Sequence, residues 1–539
     1  MEIIAFSVET RENVVVIRNS TGQSVGSNNY AELLDFLLQP MPDTIKCFWG
    51  LDVGIAPVLR LLNRKICRGL AGPTHKVTFG DVDSDVAYEL FYLPNKLLSI
   101  KKGFGGHTSR QQVSIYGLDG FFADDQPEPE TALQMARLGN ELLHGLQTYL
   151  GIVPHRLISP IGVFRDAGKL PSLPNINDTP DRFMESQMFA EECDNKEWVE
   201  NFAVGHWSYG ESFAYDLSCA YGGIAMYLAD LREADYIYSR EYVHGAHEGF
   251  LRGKVTLHDH VLVSPILTRI GESHLIGPVG SWKTYLTLDE VNFLERYELG
   301  TFELEGGWFI KFRFGAPVLG NLIQKLYELR TTAPPLMNHF LKRIPSGIVG
   351  LFHQHYPESG LGSYFNPIMH ALVTSRTRLR VGTFIYQHEL QNHVLRINTD
   401  GLTVDKKATL PTGGGPGWWR FISSDPVIIL SPELVFTGSK HPLGLNYRLL
   451  RTMIVKHPRS TYYEARLRRR VTLFEALQDH DLSRLGEMTT RFSHIDLDYL
   501  AESQIRRFPK YPRTGEALID NKYSSEPIRL EGKPRRKRA

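Results

Sequence analysis

Apolar and polar residues alternate in the first 18 positions, EIIAFSVET and then ENVVVIR, and this period of two predicts a pair of β-strands. The period lengthens at residues 33–38 and 55–63, where apolar positions recur at helical spacing, with Trp49-Gly50-Leu51-Asp52 leading into the second helix. Strand-like runs return at 85–93 and 112–116, and a long helical stretch follows over 128–150. Such strand–helix alternation predicts an α/β domain over residues 1–155. Pro171, Pro174 and Pro180, with Asn175 and Asn177, then break any period, so 156–205 reads as a linker.

Past the linker, 213–221 reads as a strand entering a helix, and 236–314 as a β-rich tract. Two helical segments follow at 318–329 and 336–349, then a longer helix at 367–386. In HVLRINTDGLTVD, residues 393–405, two β-type runs flank Asn398-Thr399-Asp400-Gly401, which is the signal of a hairpin. Asp400 sits at its tip, a rigid position that suits a residue holding a metal ion in fixed geometry. A lone turn Asp is ordinary. A second carboxylate, Asp216, in a separate apolar strand makes this one more than that. After the hairpin come a Gly-rich loop at 413–417, a strand at 426–436 and a basic helical end.

With 539 residues the chain exceeds what one core supports and should hold several domains. Its 42% hydrophobic and 22% charged residues are those of a soluble globular protein. It has neither an apolar run of membrane-spanning length nor a basic-then-apolar leader at Met1, so an intracellular setting without a membrane partner is expected. Cys47, Cys67, Cys193 and Cys219 lie far apart without paired spacing, which argues against disulfides or a zinc site. Net charge is zero but uneven: from Lys440 onward there are 22 Lys+Arg against 12 Asp+Glu, leaving 38 against 48 in the rest. A basic end on an acidic body points to a polyanionic partner. Taken alone, Pro534-Arg535-Arg536-Lys537-Arg538 reads as a solvated tail.

Four segments in order resemble family B DNA polymerases, the small phage-type members being nearest in length. Asp216-Leu217-Ser218-Cys219-Ala220-Tyr221-Gly222 is similar to their first polymerase motif, Asp-x-x-Ser-Leu-Tyr-Pro. The segment Lys342-Arg343-Ile344-Pro345-Ser346-Gly347-Ile348-Val349-Gly350 resembles the fingers motif Lys-x-x-x-Asn-Ser-x-Tyr-Gly. Asn398-Thr399-Asp400 resembles Asp-Thr-Asp, and Phe6-Ser7-Val8-Glu9-Thr10 resembles the exonuclease motif Phe-Asp-Ile-Glu-Thr. The resemblance implies an α/β and α+β multidomain chain, with an RNase H-like exonuclease domain followed by a right-hand polymerase. Its parts would be the exonuclease-like domain at 1–155, the linker at 156–205, palm at 206–315 with a β-rich insertion, fingers at 316–350, palm again at 351–430, and a basic thumb and tail at 431–539.

Nucleotidyl transfer by two Mg²⁺ (or Mn²⁺) needs carboxylates that bridge the metals. The resemblance assigns this to Asp216 and Asp400, with the Leu217 carbonyl as a further ligand. It assigns Arg330 and Lys342 to the incoming triphosphate and Tyr221 to the face beneath the sugar, although a solvated helix face and a core tyrosine explain those residues as well. Pro334, Pro335 and Pro345 remove helix hydrogen bonds, so a kinked element and a displaced triphosphate site are expected. Arg466, Arg468, Arg469 and Arg470 read as a helical cluster in the thumb region, suited to duplex phosphates. Gly413-Gly414-Gly415-Pro416-Gly417 with Trp418-Trp419-Arg420 is similar to the Gly-x-Gly-x-Trp-Arg tract after the last palm motif and reads as a loop.

The exonuclease motifs are eroded. Glu9 and Asp52 remain, but Ser7 and Asn140 stand where carboxylates belong, and Ala136 stands for the motif's tyrosine. Asp119 and Glu141 are spare carboxylates nearby in sequence. His258 and His260, and likewise His353 and His355, read as surface histidines. The expected activity is therefore DNA-directed primer extension without proofreading, on primer-template DNA and deoxynucleoside triphosphates, with a priming or other replication protein as a further partner. Two alternatives stand beside it. One is a catalytically silent relative that binds nucleic acid or a replication partner; the other is a metal-dependent nuclease. Family members that displace strands unaided carry an insertion between the fingers motif and the last palm motif. The short 352–365 loop, the 367–386 helix and the hairpin leave little room for one, so weak strand displacement without a helper is expected.

Overall fold

A computed structural model describes the chain except residues 12–13, 82–85, 105–110, 124–125, 180–183, 196, 271–273, 314, 357–359, 411–412, 432–433, 438–446, 458–461, 479–480, 486, 497–521 and 532–539. The C-terminal tail 534–538 thus lies outside the described residues. Ile3, Ile4, Ala5 and Phe6 are all buried, so the first strand, Glu2–Arg11, is covered on both faces. It runs parallel to Thr44–Phe48, which is itself parallel to Gln111–Gly117. Antiparallel strands extend both edges to make eight: Val14–Asn19 and Ser24–Ser27 on one side, Leu97–Phe104, Val86–Leu93 and Lys76–Asp81 on the other. Helices Tyr30–Leu38, Leu51–Arg60 and Arg64–Ala71 bury their apolar sides in one core with Phe6 and Ile17.

Helix Ala132–Leu150 covers Ile3 and Ala5 from the other face. It begins later than the apolar period alone suggests, at a Thr131–Gln134 capping box, and ends on Gly151 in the left-handed region at φ +61°. The strand Thr44–Phe48 escapes the alternation rule because Lys46 faces the interior. Its ammonium donates to the carbonyls of Leu37 and Gln39, both at 2.6 Å, and burial lowers its pKa to about 8.

The stretch 156–205 is structured rather than extended. It holds helices Pro160–Asp166 and Met184–Cys193, which bury Phe164 and Phe189, and strand Val199–Asn201. That strand is the edge of a central five-stranded sheet in the order Trp419–Ser423, Phe213–Leu217, Gly401–Val404, Val394–Asn398, Val199–Asn201. Helix Pro367–Gln387 supports it, with Val381, Phe384 and Ile385 packed on Tyr215, Ile397 and Leu402. The β-rich tract forms a second sheet: Ala234–Ser239, Gly300–Phe312, Glu248–Leu257, Val279–Thr287 and the late strand Arg529–Glu531.

The helical pair is two helices, Gly320–Thr332 and Pro335–Leu351. Pro334 is the N-cap and Pro335 the first residue of the second helix, where a missing N–H costs nothing, so these prolines start an element rather than break one. Pro345 is buried inside that helix, which is assigned continuously through it.

The basic end differs from expectation. Helix Tyr447–Lys456 forms, but Arg466, Arg468, Arg469 and Arg470 belong to strand Tyr462–Arg470, paired antiparallel with Met488–Asp496. A ladder to residues some twenty positions later has no signature in local spacing. The 426–436 run likewise splits into Val427–Ser431 and Leu434–Phe436. Val471, Leu473, Ala476 and Leu485 pack into the N-terminal core beside Leu59 and Ile66, and Arg60 Nε donates to the Leu485 carbonyl at 2.8 Å. No disulfide links the four cysteines, and among the described residues no helix is long and apolar enough to cross a membrane.

Candidate active site at the carboxylate hairpin

Strand Phe213–Leu217 lies between the hairpin and Trp419–Ser423 in the sheet order. On one side Asp216 faces Gly401 in register, and Leu217 N donates to the Asp400 carbonyl at 3.2 Å. On the other, Asp216 faces Arg420 and Leu217 faces Trp419. Two strands distant in sequence thereby bring Asp216 and Asp400 to one end of the sheet.

The backbone around both carboxylates is unusual. Thr399, beside Asp400, has φ +59°, and Cys219, two residues beyond Leu217, has φ +52°. Left-handed backbone is disfavoured for a side-chain-bearing residue, especially a β-branched one, and persists only where neighbours fix it. Here Thr399 N donates to the Trp198 carbonyl at 2.8 Å, and Ser218 N to that of Trp418 at 2.9 Å.

Charge is concentrated at this end. Burial, and next the Asp216 charge, push the Asp400 carboxyl up to about 6, against the opposing influence of Arg420 and Lys342. Arg420 Nη2 donates to Asp216 Oδ2 at 2.5 Å. That side chain is about half exposed, so the pair is worth little and exchanges readily for another cation. Asp216, paired with a half-exposed Arg420, and Asp400, whose pKa burial and Asp216 raise, are a donor set of hard oxygens short of positive charge. Carboxylate oxygens of this kind are the donors a hard divalent cation such as Mg²⁺ takes.

Lys342, on helix Pro335–Leu351, is the charge that reaches Asp400 from the helical pair, while Arg330 acts on the Cys219 thiol, opposing the burial that raises its pKa. Arg330 Nε donates to Asn338 Oδ1 at 3.3 Å across the Ala333-Pro334 turn, so the two basic residues sit on two helices and not one unbroken rod. Tyr221, in helix Ala220–Ala225, feels Asp400 as well: burial, then the charges of Glu197 and Asp400, raise its hydroxyl pKa.

Arg420 was legible only as part of a loop. Its position depends on the Gly-rich segment, where Gly417 (φ +77°) passes so close to Gly223 that a Cβ there would lie 2.3 Å from Gly417 N. A side chain at Gly223 would push the segment leading into Trp419–Ser423 away, and one at Gly417 would be strained by its left-handed backbone. The signal available in sequence was the run Trp418-Trp419-Arg420-Phe421-Ile422, which is strand-like in composition.

The four N-terminal residues each have their own partners. Ser7 pairs in register with Arg18. Glu9 is held by Arg11 at 2.9 Å and Arg18 at 3.2 Å. Asp52 Oδ1 accepts from Asn95 N at 2.6 Å and from the Tyr92 hydroxyl. Asn140 Oδ1 accepts from Ile3 N at 2.9 Å, and six strand residues, about 20 Å, separate Ile3 from Glu9. Asp119 is the carboxylate nearest in effect to Asp52, its pKa raised first by burial and then by the Asp52 charge, whereas Glu141 is exposed. Of the basic cluster, Arg470 pairs with Glu128 at 3.5 Å; the side chains of Arg466, Arg468 and Arg469 lie outside the described residues.

No protein-family model and no curated protein sequence matches this chain. Among solved structures it is similar to phi29 DNA polymerase complexed with primer-template DNA and incoming nucleotide substrates, at TM-score 0.56 and 12% identity over 92% of this chain and 99% of that one. An orthorhombic crystal form of the same polymerase matches at TM-score 0.54 and 12% identity, over 92% and 100% of the two chains. The chain therefore shares the mixed α/β multidomain fold of that polymerase over nearly its whole length.

Proposed function

We propose that this protein is a DNA-directed DNA polymerase that adds deoxynucleotides to a primer 3′-end and does not proofread. The observation that carries the reading is the nearness of Asp216, on its strand, to Asp400, in the turn before the adjoining strand, close enough that the Asp216 charge raises the Asp400 pKa, in a fold shared with phi29 DNA polymerase. In this reading the five-stranded sheet with Asp216 and Asp400 is the palm, the pair Gly320–Thr332 and Pro335–Leu351 the fingers, and the basic C-terminal part the thumb. Asp216, Asp400 and the Leu217 carbonyl would hold divalent cations, which when bound would supply positive charge for the attacking and leaving oxygens.

The chain's own residues do the rest. Lys342 and Arg330 come from the helical pair toward the carboxylates and grip the triphosphate, offsetting charge on the departing pyrophosphate. Tyr221 offers its ring beneath the sugar. Arg420 balances Asp216 until substrate and cation arrive, which keeps the site from collapsing under its own repulsion. Arg466, Arg468, Arg469 and Arg470 contribute phosphate contacts without sequence readout. The N-terminal domain braces the polymerase half: Arg343 on the fingers helix donates to the Gly120 carbonyl, and Phe121 stacks on Phe340.

Template-coded incorporation tests this reading. Purified protein with Mg²⁺ and a primer-template should add only the nucleotide complementary to the first template base. Pro345 inside its helix, with the departures at Ser346 and Gly347 from the resembled motif, favours one alternative, a catalytically silent nucleic-acid-binding relative. DNA binding without any incorporation, in Mg²⁺ or Mn²⁺, would select that alternative.

A further inference from the structure

Away from the carboxylate hairpin, three side chains from three segments converge at the base of the helical pair. Asp194 follows helix Met184–Cys193, His353 follows helix Pro335–Leu351, and His370 lies in the first turns of helix Pro367–Gln387. One ligand atom from each lies within 4.8 Å of the other two. His370 Nδ1 is 2.8 Å from Asp194 Oδ2, and His353 Nδ1 is 3.8 Å from the same oxygen. The two imidazoles stack, with centroids 4.7 Å apart and planes 23° apart. Thr374, one helical turn after His370, donates to Asp194 Oδ1 at 3.0 Å and so fixes the carboxylate. Asp194 is 7% exposed, His370 12% and His353 38%, which leaves the trio open to solvent on the His353 side.

We propose that Asp194, His353 and His370 form a binding site for a transition-metal cation of the Zn²⁺ or Co²⁺ type, separate from the carboxylate hairpin. Two imidazoles and one carboxylate are a donor set these ions take, with a fourth position left for water. Bonds of about 2.0–2.2 Å at tetrahedral angles put neighbouring ligand atoms about 3.3 Å apart. The 2.8 Å and 3.8 Å separations bracket that value, so Asp194 and His370 have only to exchange their hydrogen bond for two bonds to the metal, Nδ1 giving up its proton and the neutral ring carrying its one proton on Nε2. His353 has to tilt out of the stack so that both ring planes contain the ion, and as the exposed member it is the one able to do so. Thr374 stays on the other carboxylate oxygen and holds the ligand in orientation. A bound ion would tie three segments together where the helical pair leaves the central body.

The test is titration of the full-length protein with Co²⁺ alone, read by its visible ligand-field absorption, followed by displacement with Zn²⁺. One equivalent should give the strong bands of low-coordinate Co²⁺. His353→Ala and His370→Ala should each weaken binding by more than the roughly 10–100-fold that loss of an orienting hydrogen bond costs, and Thr374→Val by an amount within that range. Asp216→Asn and Asp400→Asn should leave the bands unchanged, which separates this site from the oxygen-ligand pair. No bands on the folded protein, or bands that survive both histidine substitutions, would overturn the proposal. If His370→Ala fails to fold by circular dichroism, His353→Ala decides, because its partly exposed side chain is dispensable for the core.

Discussion

Gly222 lies against Pro345: a Cβ built on Gly222 would stand 2.7 Å from the Pro345 Cβ and 2.5 Å from Cys219 Sγ. The resembled first motif carries Pro where Gly222 stands, and Pro345 falls at a free position of the second motif, so the one departure lies against a residue the second motif leaves open. The bulk that enters helix Pro335–Leu351 at Pro345 is accommodated by the side chain that Gly222 lacks.

This contact predicts the sign of Gly222→Ala. In an open helix the change would gain up to about 1 kcal/mol. Overpacking against Pro345 and Cys219 costs about 1–3 kcal/mol and should win. Chemical denaturation should show a lower midpoint for the variant, and a higher one would mean that the helices are not so closely packed.

A second prediction concerns pH. The Asp400 carboxyl is raised to about 6 from an ordinary value of 3.8, so the folded state holds this proton more tightly than the unfolded one. Its contribution to stability is intact below pH 3.8 and is lost as pH rises through about 6. Metal-free Asp400→Asn should therefore be more stable than wild type at pH 8 by on the order of 1–3 kcal/mol, and equal to it near pH 3.5. Denaturation at the two pH values in the presence of a chelator measures the difference. A variant less stable at pH 8 would mean that the carboxylate is not in a charge-poor, carboxylate-opposed site.

Proofreading should be absent. Asn140 spends its carboxamide on the Ile3 backbone, six strand residues or about 20 Å from Glu9, so the two do not face each other across a metal site. A 3′-mismatched, end-labelled primer with Mg²⁺ or Mn²⁺ and no nucleotides should stay full length. Stepwise shortening that disappears with Glu9→Ala would show that Asp52 and Asp119 have rebuilt a nuclease.

Strand displacement should be weak. Between helices Pro335–Leu351 and Pro367–Gln387 the described chain holds only the two-residue strands His355–Tyr356 and Gly360–Leu361, too little to encircle a template. Extension on a gapped template should stall at the downstream strand, and efficient copying of a primed circle by the protein alone would contradict this.

What could be read from the chain beforehand follows physical lines. The Asp400 hairpin and the Asp216 strand were legible because alternation, β-branched residues and a turn are local properties. Arg420 was not, since its strand exists through pairing with residues two hundred positions earlier and through the Gly223–Gly417 approach. The arginines at 466–470 were read as helical because nothing nearby announces the partner strand Met488–Asp496. Lys46 concealed a buried strand behind a charge that two carbonyls satisfy. His353 looked like a surface histidine because Asp194 and His370 reach it only after three separate segments have packed.

The central claim is that Asp216 and Asp400 carry the chemistry, and primer extension by full-length wild type, Asp216→Asn and Asp400→Asn tests it most directly. Each substitution removes a ligand charge while keeping shape, so both variants should lose extension in Mg²⁺ by at least about 10³-fold, roughly 4 kcal/mol of transition-state stabilisation. Primer-template binding should stay within a few-fold of wild type. An Asp400→Asn protein that extends primers at near wild-type rate would contradict the account.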